Sequence, residues 1–128
     1  MNQSNISDSD HSDWFWDIIA KASKSAKALE VILRAMPKEQ ILKFQEAFID
    51  ASSELQEEPF TGHMIKGSED SVEDVAHWVV RQGQEYYLDI LKHPEKIPFS
   101  VEEGDSSNMY AVAPKVYHDL FGESIGVY

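Results

Sequence analysis

Nine carboxylates stand between Phe44 and Val80: Glu46, Asp50, Glu54, Glu57, Glu58, Glu69, Asp70, Glu73 and Asp74, against the single base Lys66. That stretch holds −8 of the chain's formal charge of −12. Two kinds of chemistry could use it. Four acids in six residues, Glu69 to Asp74, supply the oxygen ligands that hard divalent cations take. Yet the alternating ligands, central Gly and distal Glu of a calcium loop are missing, and acids at a helix start also match the helix dipole. No metal or other cofactor is therefore expected. The second use is electrostatic. Nucleic acid and anionic membranes are polyanions that reward Lys and Arg, so neither is an expected partner. A basic protein surface is, with Glu54, Glu57, Glu58, Glu69, Asp70, Glu73 and Asp74 as the docking residues.

The remaining chemistry-bearing residues are scattered. His11, His63, His77, His93 and His118 include no pair at the i, i+4 spacing of a zinc-binding helix. Gly62 and Gly67 lack the Lys-Ser/Thr sequel of a phosphate loop, and there is no Gly-x-Ser-x-Gly elbow. No catalytic residue is assigned. A small enzyme or ligand-binding regulator stays open as an alternative, its pocket beside a Val72–Leu91 helix and the last helix, near His77, Arg81, Tyr87 and His118. Trp14, Phe15 and Trp16 form the densest aromatic group. On a helix they cannot share one direction. Trp14 and Phe15 suit the core, and Trp16 is the flanking ring that would anchor a partner if exposed. Of Tyr86 and Tyr87, one is expected in the core and one in water.

The elements that must position these residues are helical. The spacing of Trp14, Phe15, Ile18, Ile19 and Ala22 marks one face of a helix starting at Ser12 or Asp13, with residues 1–11 an acidic flexible tail. A second helix over about Ser25–Met36 puts Leu29, Ile32, Leu33 and Met36 in a stripe. A third, opening at Pro37 in its first turn, turns Ile41, Phe44, Phe48 and Leu55 inward. A long loop over 57–70 follows, anchored by Phe60, Met64 and Ile65. Ser71 to Asp74 reads as a capping box opening a helix to about Leu91, with Val75, Ala76, Val79, Gly83, Tyr86 and Ile90 on its stripe. After a second long loop over 96–108, a last helix, about Ala113–Phe121, closes at Gly122, with Val116, Tyr117, Leu120 and Phe121 as its apolar face. No segment has a sustained period of two. The expectation is an all-α, single-domain bundle of about five helices with two long loops over 12–123, followed by a tail at 124–128.

Composition agrees. A chain of 128 residues, 42% hydrophobic, can bury a core of its own. There is no cysteine, hence no disulfide framework or thiolate chemistry. No apolar run approaches the roughly 20 residues of a membrane span, and the polar, acidic start is unlike a signal peptide. The expected location is the cytoplasm. Charge is polarised as well as negative: residues 21–43 carry six bases against Glu30 and Glu39. That basic stretch could complement acids within the fold, or the acidic stretch of a second copy in a homodimer.

Three segments carry a resemblance: Trp14-Phe-Trp-Asp-Ile-Ile-Ala-Lys-Ala22, Met36-Pro-Lys-Glu-Gln-Ile-Leu-Lys-Phe-Gln-Glu-Ala-Phe48, and Glu73-Asp-Val-Ala-His-Trp-Val-Val-Arg-Gln-Gly-Gln-Glu-Tyr-Tyr87. In this order they resemble an uncharacterised bacterial family of small helical proteins, known only as a domain of unknown function. The likeness spans about residues 12–123. Val75 departs from it where the family places an aromatic, and the loop before Ser71 is short and lacks a Gly-Gly step. The resemblance implies a helical fold and a bacterial origin, with no catalytic residues to carry over. Small acidic stand-alone proteins share their profile with immunity proteins that neutralise toxins, which makes a toxin one basic partner to expect.

Overall fold

A computed structural model describes residues 3–64, 69–98 and 109–126, with side chains from Asp13 onward and, after the first gap, from Val72. The described residues form six α-helices and no strand: α1 (Gln3–Ala22), α2 (Ala26–Arg34), α3 (Lys38–Glu54), α4 (Glu69–Arg81), α5 (Gln84–Lys92) and α6 (Val112–Phe121). Short 3₁₀ turns occupy Phe60–His63, Pro94–Lys96 and Met109–Ala111. Among the described residues no helix is long and apolar enough to cross a membrane.

Local chemistry explains most of the boundaries. Ser25 is the N-cap of α2: its backbone is extended and its hydroxyl accepts the Ala28 N–H at 3.1 Å. Gly122 ends α6 in the left-handed region at φ 69° and donates its N–H to the His118 carbonyl. Pro37 is the N-cap of α3, one position earlier than expected. α1 begins at Gln3 instead of Ser12 or Asp13, because no Gly or Pro interrupts Gln3–Ala22 and a capping side chain starts a helix only where the preceding backbone leaves helical angles. α4 starts at Glu69, ahead of the expected cap at Ser71, placing two acids in its first turn, where the dipole favours them.

The expected helix over Val72–Leu91 is two helices. Gly83 takes φ 110° and ψ 173° and is the N-cap of α5, a backbone region open essentially to glycine alone. The Gln82 and Gly83 N–H groups close the end of α4 on the carbonyls of Val79 and Val80. The apolar stripe runs on through Gly83, so periodicity alone reads one rod where the chain makes an elbow.

α3 is the hub. It packs against α1, α4 and α6, while α2 lies on α1 and α6, and α5 on α4. Its inner face presents Ile41, Phe44, Gln45, Phe48 and Ser52, all buried. Phe15 of α1 meets Phe44 at 5.1 Å and Phe48 at 6.1 Å, a tilted and an edge-on arrangement favoured by ring quadrupoles. Phe60 and Met64 anchor the chain after α3 as expected, whereas Ile65 lies outside the described residues. α6 buries Val112, Ala113, Val116 and Tyr117. Leu120 and Phe121, expected inside, are 41% and 36% exposed, because the inward face shifts a turn earlier. Ile125, in the stretch expected as a tail, is buried instead.

Candidate functional site

Glu46, Asp50 and Glu54 follow one another at intervals of four on the outer face of α3, and all three are exposed. Residues four apart on a helix are neighbours, so the three carboxylates form a ridge. Exposed Glu57 and Glu58 extend it beyond the helix, with Glu58 accepting the Thr61 hydroxyl at 2.9 Å. Glu73 is exposed on α4, while Asp74 is half-buried and already engaged. The side chains of Glu69 and Asp70 lie outside the described residues. Among the described residues, no Lys or Arg pairs with Glu46, Asp50, Glu54, Glu57, Glu58 or Glu73. The placement is unfavourable to the isolated chain. Like charges at i, i+4 repel. Glu54 also sits in the last turn of α3, which has no base to offset the negative end of the dipole.

Two bases of the basic stretch, Arg34 and Lys38, are engaged elsewhere. Arg34 contacts Glu30 at 2.8 Å and Asp119 at 2.7 Å, and Lys115 reaches the same two carboxylates at 3.1 and 3.7 Å. Two cations and two anions thus close the seam between α2 and α6. Hydrogen bonds from Arg34 and then Lys115 hold the Glu30 carboxyl below its usual range, and Glu30 in turn raises Arg34. Lys38 pairs with Glu123 at 3.0 Å and stands 5.5 Å from the rings of Tyr117 and Phe121. The Glu123 hydrogen bond lifts the Lys38 ammonium above its ordinary value. The acids that Arg34 and Lys38 meet are on α2, α6 and the residues after it, not on the ridge.

Of His77, Arg81, Tyr87 and His118, Arg81 lines the cleft between α1 and the α4–α5 elbow, and the other three have surroundings of their own. His118 is exposed on α6. Tyr87 is buried beside Trp16, with ring centres 5.0 Å apart, and donates its hydroxyl proton to the Ala51 carbonyl at 2.9 Å. Burial, aided by the charge of Glu54, pushes that hydroxyl up to about 12. Trp16 itself is 8% exposed, too deep for the outward anchor that a free ring would offer; its edge-on packing against Phe15 accounts for this. Arg81 lines a cleft of about 620 Å³ between the end of α1 and the α4–α5 elbow. Asp13, Asp17 and Glu85 share its walls with Lys24 and Arg81, so both signs of charge face the space. Tyr86, the wetter of the tyrosine pair, packs edge-on against Trp78. No group of three His, Asp or Glu among the described residues could hold a metal ion.

His77 sits instead in a buried polar cluster that the residue types alone do not announce. Its ring lies flat on Tyr110, with centres 4.2 Å apart and planes 9° apart, and Phe48 stands 5.7 Å away. Gln45, wholly buried, donates its side-chain N–H to the Tyr110 carbonyl at 3.3 Å. Burial alone holds His77 down at about 4. A signal for Gln45 does exist in the sequence: it follows Ile41 by four and precedes Phe48 by three, which puts it on the inner stripe.

No curated protein and no solved structure gives a significant match to the chain. The family model described as "Protein of unknown function (DUF4240)" matches residues 11–119. With its ordered segments laid out on α1, α3 and the α4–α5 elbow, the chain belongs to this family of unknown function, DUF4240.

Proposed function

We propose that this chain is a non-enzymatic binding protein of the cytoplasm whose acidic ridge engages a basic protein surface. Glu46, Asp50, Glu54, Glu57 and Glu58 form the docking line, with Glu73 beside it. An immunity or inhibitor protein that covers a basic toxin is a role of this chemistry. The observation that carries the reading is the absence of intrachain cations from the ridge among the described residues, while Arg34, Lys38 and Lys115 are paired on the opposite charge at another seam. Repulsion along α3 that no ion pair among the described residues relieves is relieved by an incoming Lys- or Arg-rich surface. A field of one sign also raises the association rate with such a surface and makes it fall steeply with salt.

The test is affinity capture at low and high ionic strength, using the wild-type chain and Asp50→Lys/Glu54→Lys. A basic protein should be retained by the wild type at low salt, then released by added salt and by the double reversal. Retention of no basic protein, or retention indifferent to both changes, defeats the reading.

A further inference from the structure

The polar cluster at His77 has no part in the ridge, and it sits where the chain commits to its last helix. Tyr110 is the middle residue of the turn Met109–Ala111 that leads directly into α6. Two elements hold it from different directions. Gln45 of α3 grips its carbonyl, and His77 of α4 covers its ring. Phe48 of α3 packs against both rings, at 5.7 Å from His77 and 5.9 Å from Tyr110.

We propose that Gln45, His77 and Tyr110 form a proton-sensitive latch that fastens the turn into α6 onto α3 and α4, and that protonation of His77 releases it. The geometry states the reason. Nδ1 of His77 is buried and makes no hydrogen bond, so the neutral ring fits as it stands. Adding a proton there creates a charged donor inside the core, and such a group is far costlier to leave unmet than a neutral one. Stacking on Tyr110 returns only part of that through the attraction of a cation for the ring face. Among the described residues, α3 faces the imidazole with Phe48, and the turn faces it with Tyr110, whose carbonyl Gln45 holds. On its own helix, Asp74 precedes it by three residues and Arg81 follows it by four. Asp74, Arg81 and Tyr110 have interactions of their own. Burial is what lowers the ring among the described residues, and none of the described carboxylates forms an ion pair with it. Oε1 of Gln45 is likewise buried without a hydrogen bond. Its reach for the new N–H is the arrangement that would keep the latch shut.

Two measurements on the full chain decide the matter. The first follows the imidazole carbons of His77 by NMR across pH. A ring titrating well below a free histidine supports the latch; titration at or above the ordinary 6.5 means that Gln45 accepts the proton, and overturns it. The second is amide hydrogen exchange, corrected for intrinsic rates, at pH 7 and pH 4.5. Protection over 109–113 and 75–80 should drop by about tenfold or more in the wild type, the change that a depressed histidine imposes on an opening equilibrium. His77→Phe, which retains an aromatic ring against Tyr110 but cannot titrate, should keep its protection. Equal loss in wild type and His77→Phe, or loss spread evenly over all six helices, rejects the latch in favour of general acid unfolding. The ring titration needs no variant, so a variant that fails to fold leaves the proposal open to refutation.

Discussion

The seam between α2 and α6 and the outer face of α3 are both lined with charge, and they treat it oppositely. At the seam, Arg34 and Lys115 interleave with Glu30 and Asp119, and Lys38 closes on Glu123. On α3, Glu46, Asp50 and Glu54 face water, and among the described residues no Lys or Arg forms an ion pair with them. The difference teaches that net charge is a poor guide to a docking face. What separates the two surfaces is whether the charge is answered from within. Paired charge is part of how α6 is registered on α2; unanswered charge is a strain on the fold that a partner can remove.

The strongest perturbation tests whether the two regions share a foundation. Phe44 is fully buried on α3, packed against Phe15 and Phe48. Phe44→Ala should cost about 3–5 kcal/mol, and urea unfolding followed by circular dichroism should show both regions lost in one transition. Acid comes next. The folded His77 titrates near 4 against 6.5 in the unfolded chain, so the unfolded state binds the proton more readily. Its contribution is therefore constant above about pH 6.5 and shrinks as pH falls toward 4, by on the order of 3 kcal/mol if the whole shift is expressed. Urea midpoints across that range, compared with His77→Phe, isolate this part from the carboxylates. A smaller effect is expected at the elbow. A Cβ on Gly83 would meet no atom within 4 Å, so Gly83→Ala is opposed by backbone angle alone. The expected loss is about 1–3 kcal/mol, read from thermal melting.

The weakest effects bear most directly on the contrast. Replacing Asp50 or Glu54 by Lys should raise the urea midpoint, with the unfolding free energy up by a few tenths of a kcal/mol, since each change turns roughly 0.2–0.5 kcal/mol of i, i+4 repulsion into attraction. Arg34→Ala should lower it. Added salt should compress both differences toward the wild type, because screening weakens repulsion and attraction alike. If the ridge substitutions destabilise instead, the carboxylates there have partners within the chain and the contrast with the seam is gone.

Helix stripes were legible because they are local: Leu29 and Leu33 on α2, or Phe44 and Phe48 on α3, need only the 3.6-residue period. The stop at Gly122 was legible for the same reason. The elbow was not, since Val79, Gly83, Tyr86 and Ile90 keep step through the break and glycine's liking for unusual angles does not say where it will be exercised. The seam was beyond reach in another way. Arg34 and Asp119 are 85 positions apart, so composition announced a basic stretch without naming which acids it meets. Of the candidate site, the crowding of acids was visible in the residues. Their exposure on α3 was not, and neither was the stacking of His77 on Tyr110 or of Tyr87 against Trp16.

One consequence follows from α3 touching α1, α4 and α6 at once. Most docking helices lie at a rim, where a grip from outside reaches only the next layer. Here the gripped rod is also the axle of the bundle. A macromolecule seated along Glu46, Asp50 and Glu54 would brace three packed interfaces together, so its arrival should be felt as stiffening at sites it never touches.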